Sequence, residues 1–270
     1  MRGVVTVAAL VCLLSACSGA PGEDTLERVR ATDVLRVAIT EANPPWNFLD
    51  DKGHPAGYDV DVAREVARRI GVGKVEFVGT DFANLVGGVV AGRFDLVVAG
   101  QTATEERGRQ VAFSRPYAVN RIAVFVRRGE TSIGGPKDLA GRRIAVSEGT
   151  VQADFARTRV PGAEVRTYRN AILGLTDLAH GRADAALVSW FQGVHLATRN
   201  GLPVTAVGPP LRVCTLSMSF DRHSPAFRRA VDRAVGDMIG DGTLTVVSRR
   251  WLGGLDMAAE LRRTPATRTG

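Results

Sequence analysis

The sequence predicts an α/β protein built as two similar lobes joined by two long strands. Three observations predict it. Short β-branched apolar runs alternate with segments whose apolar residues recur at helical spacing. A Gly-Arg-x-Asp turn stands in the same strand-helix-turn-strand context in both halves, at Gly92-Arg93-Phe94-Asp95 and again at Gly181-Arg182-Ala183-Asp184. Two long strand candidates, near 121–127 and 214–220, lie where the halves must connect.

Each element follows from its local pattern. Val34–Ile39 is a compact apolar run with β-branched residues, as a buried strand requires. Across 59–70, Val62, Ala63, Val66, Ala67 and Ile70 fall on one helical face, and Gly71 stops the helix. Residues 74–78 read as a second strand, 82–91 as a helix with Leu85, Val86, Val89 and Val90 on one face, and 95–99 as a third strand. The β-α-β-α-β order implies a mostly parallel sheet covered by helices. Phe113-Ser114-Arg115-Pro116-Tyr117 breaks the pattern before the long strand at 121–126. In the second half, Glu164–Tyr168 is a strand candidate. A helix carrying Leu175, Leu178 and Ala179 follows it and leads into the second Gly-Arg-x-Asp turn. A strand at 215–220 and helices at 225–239 and 244–252 complete the body. The tail from residue 257 is polar and expected to fray. By the offset of the repeat, Gly100 at one strand end corresponds to Ser189 at the other. Ligands of open α/β sheets sit beyond the carboxyl ends of strands, so both positions face one crevice.

The chain has 270 residues, 45% of them hydrophobic, and a formal charge of +7. This composition excludes a disordered or fibrous chain. The basic excess raises nucleic acid as a partner. However, the arginines are spread over amphipathic segments (Arg64, Arg68, Arg69, Arg228, Arg229, Arg233), and no nucleic-acid module accompanies them. The expectation is therefore no nucleic-acid partner. Residues 1–16 have a charged start at Arg2 and an apolar run too short to span a bilayer, the pattern of a signal peptide. Leu14-Ser15-Ala16-Cys17 closely resembles the bacterial lipobox, which implies lipidation of Cys17, export and a membrane anchor. Residues 17–33 then read as lipidated start and spacer. With Cys12 removed and Cys17 lipidated, Cys214 is left alone, as a buried inert thiol with no disulfide.

Several chemistries lack their motifs. There is no G-x-x-x-x-G-K-[ST], no G-x-G-x-x-G after a strand, no H-E-x-x-H and no G-x-S-x-G. His54, His180, His195 and His223 are scattered without ligand spacing. No metal, no cofactor and no catalytic residue is expected.

One ordered series of motifs remains: Asn43-Pro44-Pro45-Trp46-Asn47-Phe48, Gly57-Tyr58-Asp59-Val60-Asp61, Asp81-Phe82, the first Gly-Arg-x-Asp turn, Gly100-Gln101-Thr102-Ala103-Thr104-Glu105-Glu106-Arg107, and Phe113-Ser114-Arg115-Pro116-Tyr117. The series resembles the family-3 extracellular solute-binding proteins, the polar amino-acid-binding lipoproteins of ABC importers, from about residue 34 to 252. The resemblance implies a type II periplasmic-binding fold, with lobe 1 at 34–118 plus 218–256 and lobe 2 at 122–213. It also implies a monomer that captures a polar amino acid or related small carboxylate by hinge closure and delivers it to an ABC permease without covalent chemistry.

The resemblance assigns roles residue by residue. Arg107 lies where the family's carboxylate-binding arginine lies, and a guanidinium fork fits a carboxylate; read alone, beside Glu105 and Glu106, it is a solvated surface residue. Thr102 offers a hydroxyl and a backbone N–H to the same carboxylate, and Gly100 allows close backbone approach. Thr104 fits a helix cap. Phe82 matches a ring that stacks on ligand, with a helix-start hydrophobe as its plain alternative. Trp46 is explained equally by core packing. Thr150, after Gly149, resembles the loop of lobe 2 that closes on the carboxylate at a helix N-terminus. Two positions depart from the pattern. Ser189 stands where family members that bind free amino acids usually carry an ammonium-binding Asp, and Asn43 stands where an aromatic often covers the ligand. Either Glu41 or Glu148 pairs with a ligand cation, or the ligand lacks an ordinary α-amino group. The competing functions are an enzyme resembling periplasmic cyclohexadienyl dehydratases, with Glu148 as its acid, and a sensory ligand-binding module.

Overall fold

The structure, a computed structural model, describes residues 24–264. The signal peptide, the Cys17 anchor and the last six residues lie outside the described residues. No helix among the described residues is long and apolar enough to cross a membrane.

The body starts earlier than the sequence suggests. Thr25–Thr32 forms helix α1 rather than a spacer. Asp24 is the reason: its carboxylate accepts from Leu26 N at 2.9 Å, and from Ala226 N and Phe227 N at 2.7 and 3.0 Å, capping α1 and a distant helix together. Val29 is fully buried beneath it.

Strand β1 (Val34–Ile39) follows as expected. A small antiparallel sheet that periodicity did not reveal comes next, formed by β2 (Ala42–Asn43), β3 (Asn47–Leu49) and β4 (Pro55–Ala56). Its strands are too short to show alternation. Helix α2 (Tyr58–Arg69) buries the apolar face read from the sequence. The Gly57-Tyr58-Asp59 motif ties this helix to the preceding loop. Gly57 sits at φ 119° with the Trp46 carbonyl against its Cα, space that any Cβ would fill. Asp59, fully buried, accepts from Asn47 Nδ2 at 2.7 Å and from Tyr117 Oη at 2.8 Å.

Strand β5 (Lys74–Gly79), a turn of 3-10 helix at Phe82–Asn84, α3 (Leu85–Val90), β6 (Leu96–Val97), α4 (Glu105–Gly108) and β7 (Ala112–Phe113) complete the first half. The strand expected over 95–99 is a two-residue ladder. After Val98 N bonds Ala38 O at 3.1 Å, the chain turns away at Gly100, φ 63°.

The second half holds β8 (Ala118–Arg127), β9 (Arg143–Ser147), α5 (Val151–Arg159), β10 (Glu164–Tyr168), α6 (Ala171–Ala179), β11 (Ala185–Ser189), α7 (Trp190–Arg199) and β12 (Val204–Leu216). The chain then returns through β13 (Ser219–Phe220), α8 (Pro225–Gly240), α9 (Thr243–Trp251) and α10 (Met257–Arg263). The expected strand 215–220 is thus divided at Ser217 and Met218, whose N–H groups bond Gln101 O and Ser114 Oγ. The expected loose tail is corrected as well. Met257 and Ala258 are buried, Met257 Sδ accepts from Val119 N at 3.0 Å, and Glu260 pairs with Arg121 at 2.6 Å.

Two five-stranded sheets result, ordered β5-β1-β6-β13-β7 and β10-β9-β11-β8-β12. The β8–β12 ladder runs from Arg127↔Val204 to Ala118↔Leu216, and its last pair abuts the first sheet, where Tyr117 N bonds Leu216 O. These are the two connecting strands. The Gly-Arg-x-Asp repeat does the same work in both lobes. Asp95 accepts the backbone N–H and guanidinium of Arg36 on β1, while Asp184 accepts the backbone N–H and guanidinium of Arg143 on β9. Each acid pins the first residues of a central parallel strand to the turn that starts its neighbour.

Candidate functional site

The two lobes are closed against each other around a cavity of about 370 Å³, the size of a small-molecule site. All eight residues singled out as ligand-binding line it: Asn43, Trp46, Phe82, Gly100, Thr102, Arg107, Thr150 and Ser189. Two hydrogen bonds and two ion pairs are among the contacts that cross the cleft. Arg107 Nη2 donates to Gly149 O at 2.8 Å, and Trp46 Nε1 donates to Ser189 Oγ at 3.3 Å. Asp81 pairs with Arg169 at 2.5 Å, and Asp51 with Arg199 at 2.9 Å.

Arg107 is placed by short-range structure. Thr104 caps α4, its hydroxyl accepting from Arg107 N at 3.3 Å. That turn swings the guanidinium back over its own strand end, where Nη1 donates to Thr102 O at 2.7 Å. The guanidinium lies 5.4 Å from the Phe82 ring centre, a cation–π contact. Burial pushes its pKa below the usual value, against the pull of Asp154 and Glu106. Two of its five N–H donors face carbonyls, one from each lobe.

The other residues differ in what they offer. Thr102 turns its hydroxyl toward Cys214 Sγ at 3.6 Å and uses its carbonyl on Arg107. Cys214 is buried on β12, and burial raises its thiol pKa. Thr150 caps α5, accepting from Ala153 N, and donates to Ser147 O at 2.7 Å. Gly149 beside it has φ 70° and lies against lobe 1: a Cβ there would meet Ala83 Cα at 2.9 Å. Gly100 N is held by the Tyr117 hydroxyl at 3.1 Å, which in turn donates to Asp59. Burial pushes Asp59 up to about 6 against the hydrogen bonds of Tyr117 and Asn47. Trp46 is 1% exposed and packs edge-on against Tyr58 and Phe191, so it is both core and cavity wall.

Ser189 is not an open acceptor. Its hydroxyl donates to Asn120 Oδ1 at 2.7 Å while receiving the Trp46 indole N–H. Asn120 was missed by the sequence reading, although a lone amide within the apolar run 118–126 was its visible signal. The Asp81–Arg169 pair was missed because its partners lie in different lobes. Of the two alternative acids, Glu41 lines the cavity, whereas Glu148 is exposed and outside its lining. Glu148 follows β9 by one residue and alternation turns it away from the cleft, which removes the acid proposed for an enzyme. Among the described residues there is no cluster of His, Cys, Asp and Glu suited to a metal.

Residues 35–254 match the bacterial extracellular solute-binding proteins, family 3. This chain belongs to that family. Among its relatives, the L-cystine-binding protein TcyJ of Escherichia coli is 30% identical over 254 residues, covering 94% of each chain. The cyclohexadienyl dehydratase of Pseudomonas aeruginosa is 28% identical over 256 residues, 93% of this chain and 94% of the relative. An ancestral arginine-binding protein solved with arginine superimposes with a TM-score of 0.75 at 30% identity, over 82% of this chain and 99% of that one. The fold is therefore the two-lobed type II periplasmic-binding architecture, as expected, and the family is extracytoplasmic.

Proposed function

We propose that this family-3 solute-binding protein captures an amino acid between its lobes and hands it to an ABC permease. The cystine- and arginine-binding relatives support an amino acid as the ligand class. The single observation that carries the reading is Arg107, a half-buried guanidinium in the interlobe cavity, held by one carbonyl from each lobe and with donors left over. A ligand carboxylate on those donors stabilises the closed form, because it gains contacts from both lobes only when they meet. Gly100, Thr102, Phe82, Asn43 and Thr150 shape the walls around it, and Trp46 with Ser189 forms the floor where the lobes touch. No covalent step is assigned to the site. The protein works as a monomer, exported by residues 1–16 and held at the outer face of the cell membrane through lipidated Cys17. The surplus of basic residues suits that anionic surface.

Isothermal titration of the purified protein against the common amino acids tests this reading. One or more binds, and Arg107→Ala weakens that ligand by about 2–4 kcal/mol, roughly 30- to 1000-fold. An unchanged affinity in Arg107→Ala contradicts the carboxylate role. Conversion of the ligand to product favours an enzyme of the dehydratase kind. Cys17→Ala moves the protein from the membrane fraction to the soluble one.

A further inference from the structure

A second concavity lies in lobe 1, outside the cleft. It is a groove of about 280 Å³ between α1, the end of α2 and α8. Buried Ile70 and Ala234 lie at its base, and exposed Arg30, Arg229 and Arg233 at its rim. Arg69 also lines it, but that charge is answered by Glu65 and Asp241 at 2.6 and 2.7 Å. Arg30 gives its Nε to the Ile70 carbonyl at 2.7 Å. Among the described residues, neither Arg30 nor Arg229 nor Arg233 has an ion-pair partner, and Asp237 is the acid in the lining that offsets one of the three. Arg229 and Arg233 stand four residues apart on α8. Like charges at that spacing repel, and an anion held between them relieves the repulsion. Guanidinium forks are shaped for phosphate oxygens.

The position of the groove tells which phosphate it meets. Asp24 caps α1 and α8 together, so both walls begin where the chain leaves toward Cys17. Seven residues separate Cys17 from Asp24, a reach of at most about 25 Å. From Ala226 to Asp237, α8 rises about 17 Å. An anchor at Cys17 therefore keeps the whole groove within reach of the bilayer surface. The ligand cavity lies at the other pole of the lobe. Ile70 ends α2 beside the starts of β1 and β5, where Val34 pairs with Lys74. The residues just past the carboxyl ends of those strands, Thr40 and Glu41, Asp81 and Phe82, line the cavity instead.

We infer that this groove docks the phosphate headgroups of an anionic membrane and lays lobe 1 on the bilayer by the pole opposite its ligand cavity. The inference rests on the anchored reading above. A tether alone leaves the protein free to tumble. A second, electrostatic contact fixes which face meets the bilayer and leaves the cleft open to solvent. Each basic side chain near such a surface adds attraction, and salt screens it.

Vesicle co-sedimentation tests it, with protein that lacks residues 1–16 and carries Cys17→Ala, so that no acyl chain takes part. The probes are vesicles of phosphatidylcholine alone and of phosphatidylcholine with phosphatidylglycerol in equal parts. The protein sediments with the mixed vesicles and not with the neutral ones. Arg229→Gln with Arg233→Gln lowers the partition coefficient at least tenfold. Arg157→Gln with Arg159→Gln, which removes the same charge from α5 of lobe 2, lowers it less than about threefold. Inorganic phosphate added at constant ionic strength leaves binding unchanged. Equal losses in the two double variants overturn the inference, because the attraction is then diffuse. So does sedimentation with neither vesicle or equally with both. Displacement by inorganic phosphate also overturns it and makes the groove a site for the free anion. None of these outcomes touches the anchor, which fractionation of Cys17→Ala reports separately.

Discussion

In lobe 1 the Asp95 carboxylate is sealed beneath Arg36 and Arg28, its side chain 1% exposed; in lobe 2 Asp184 has Arg143 as its ion-pair partner and is 22% exposed. The two strand ends that these acids help to align also differ. Gly100 leaves its backbone open to the cavity and its N–H on Tyr117, while Ser189 is closed off by Asn120 and Trp46. The charged groups follow the same division. Arg107, Glu41 and Asp81 come from lobe 1, and lobe 2 answers with the Gly149 carbonyl, the Thr150 cap and Arg169. On the proposed reading, lobe 1 carries most of the recognition groups and lobe 2 serves as a lid. Asp95 also carries the N-terminal helix through Arg28, which ties the segment nearest the proposed anchor to lobe 1.

The largest test of this asymmetry is stability. Asp95→Ala uncovers two arginines and a backbone N–H at a buried site and costs about 3 kcal/mol or more. Asp184→Ala, at a wetter site, costs about 1 kcal/mol. Urea denaturation of both variants measures the difference, and equal losses would abolish the distinction between the lobes.

The pH dependence is the next test. Asp59 in lobe 1 is pushed from 3.8 up to about 6 by burial, against its two hydrogen bonds. The folded protein therefore holds this proton more tightly than the unfolded chain between about pH 4 and pH 6. The stability contributed by Asp59 is fully present below about pH 4 and is lost as pH rises through 6, a loss of up to about 3 kcal/mol. Asp184 in lobe 2 runs the other way. The Arg143 hydrogen bond holds it near 2, so its contribution is present above 3.8 and lost as pH falls through 2. Denaturation free energies across pH 4–7 fall less steeply in Asp59→Asn than in wild type. Parallel curves would remove Asp59 from the account.

The smallest expected effect concerns the lid. Gly149→Ala places a Cβ in a left-handed residue and against Ala83 of the opposite lobe. The variant disfavours closure and weakens ligand by about 2 kcal/mol, some 30-fold, and its left-handed alanine costs the fold about 1 kcal/mol in open and closed forms alike. Unaltered affinity would mean that the lobes do not meet at Gly149 in the bound state.

Much of this molecule was legible before its structure. Strand Val34–Ile39 announces itself as a compact apolar run buried on both faces near its end, and helix α2 through the helical period of the face it buries. The repeat predicted the Gly100–Ser189 correspondence, and both residues do reach one cavity. What stayed hidden has a common cause. The cap at Asp24, the Met257 anchor and the Asp81–Arg169 pair all depend on residues far apart in the chain meeting in space. Ser189 is read correctly by position but not by chemistry. Its missing charge is visible in the sequence, whereas its saturation by Asn120 and Trp46 is visible only in three dimensions. Likewise the left-handed backbone at Glu41 leaves no mark in composition, since a glutamate there breaks the local rule that favours glycine.

The central claim is that lobe 1 holds the ligand and lobe 2 closes over it. Small-angle X-ray scattering of the purified protein, with and without a saturating amino-acid ligand found by titration, tests that claim most directly. The account predicts a smaller radius of gyration with ligand bound, and no such decrease in Arg107→Ala. An unchanged radius on binding to the wild-type protein would contradict it.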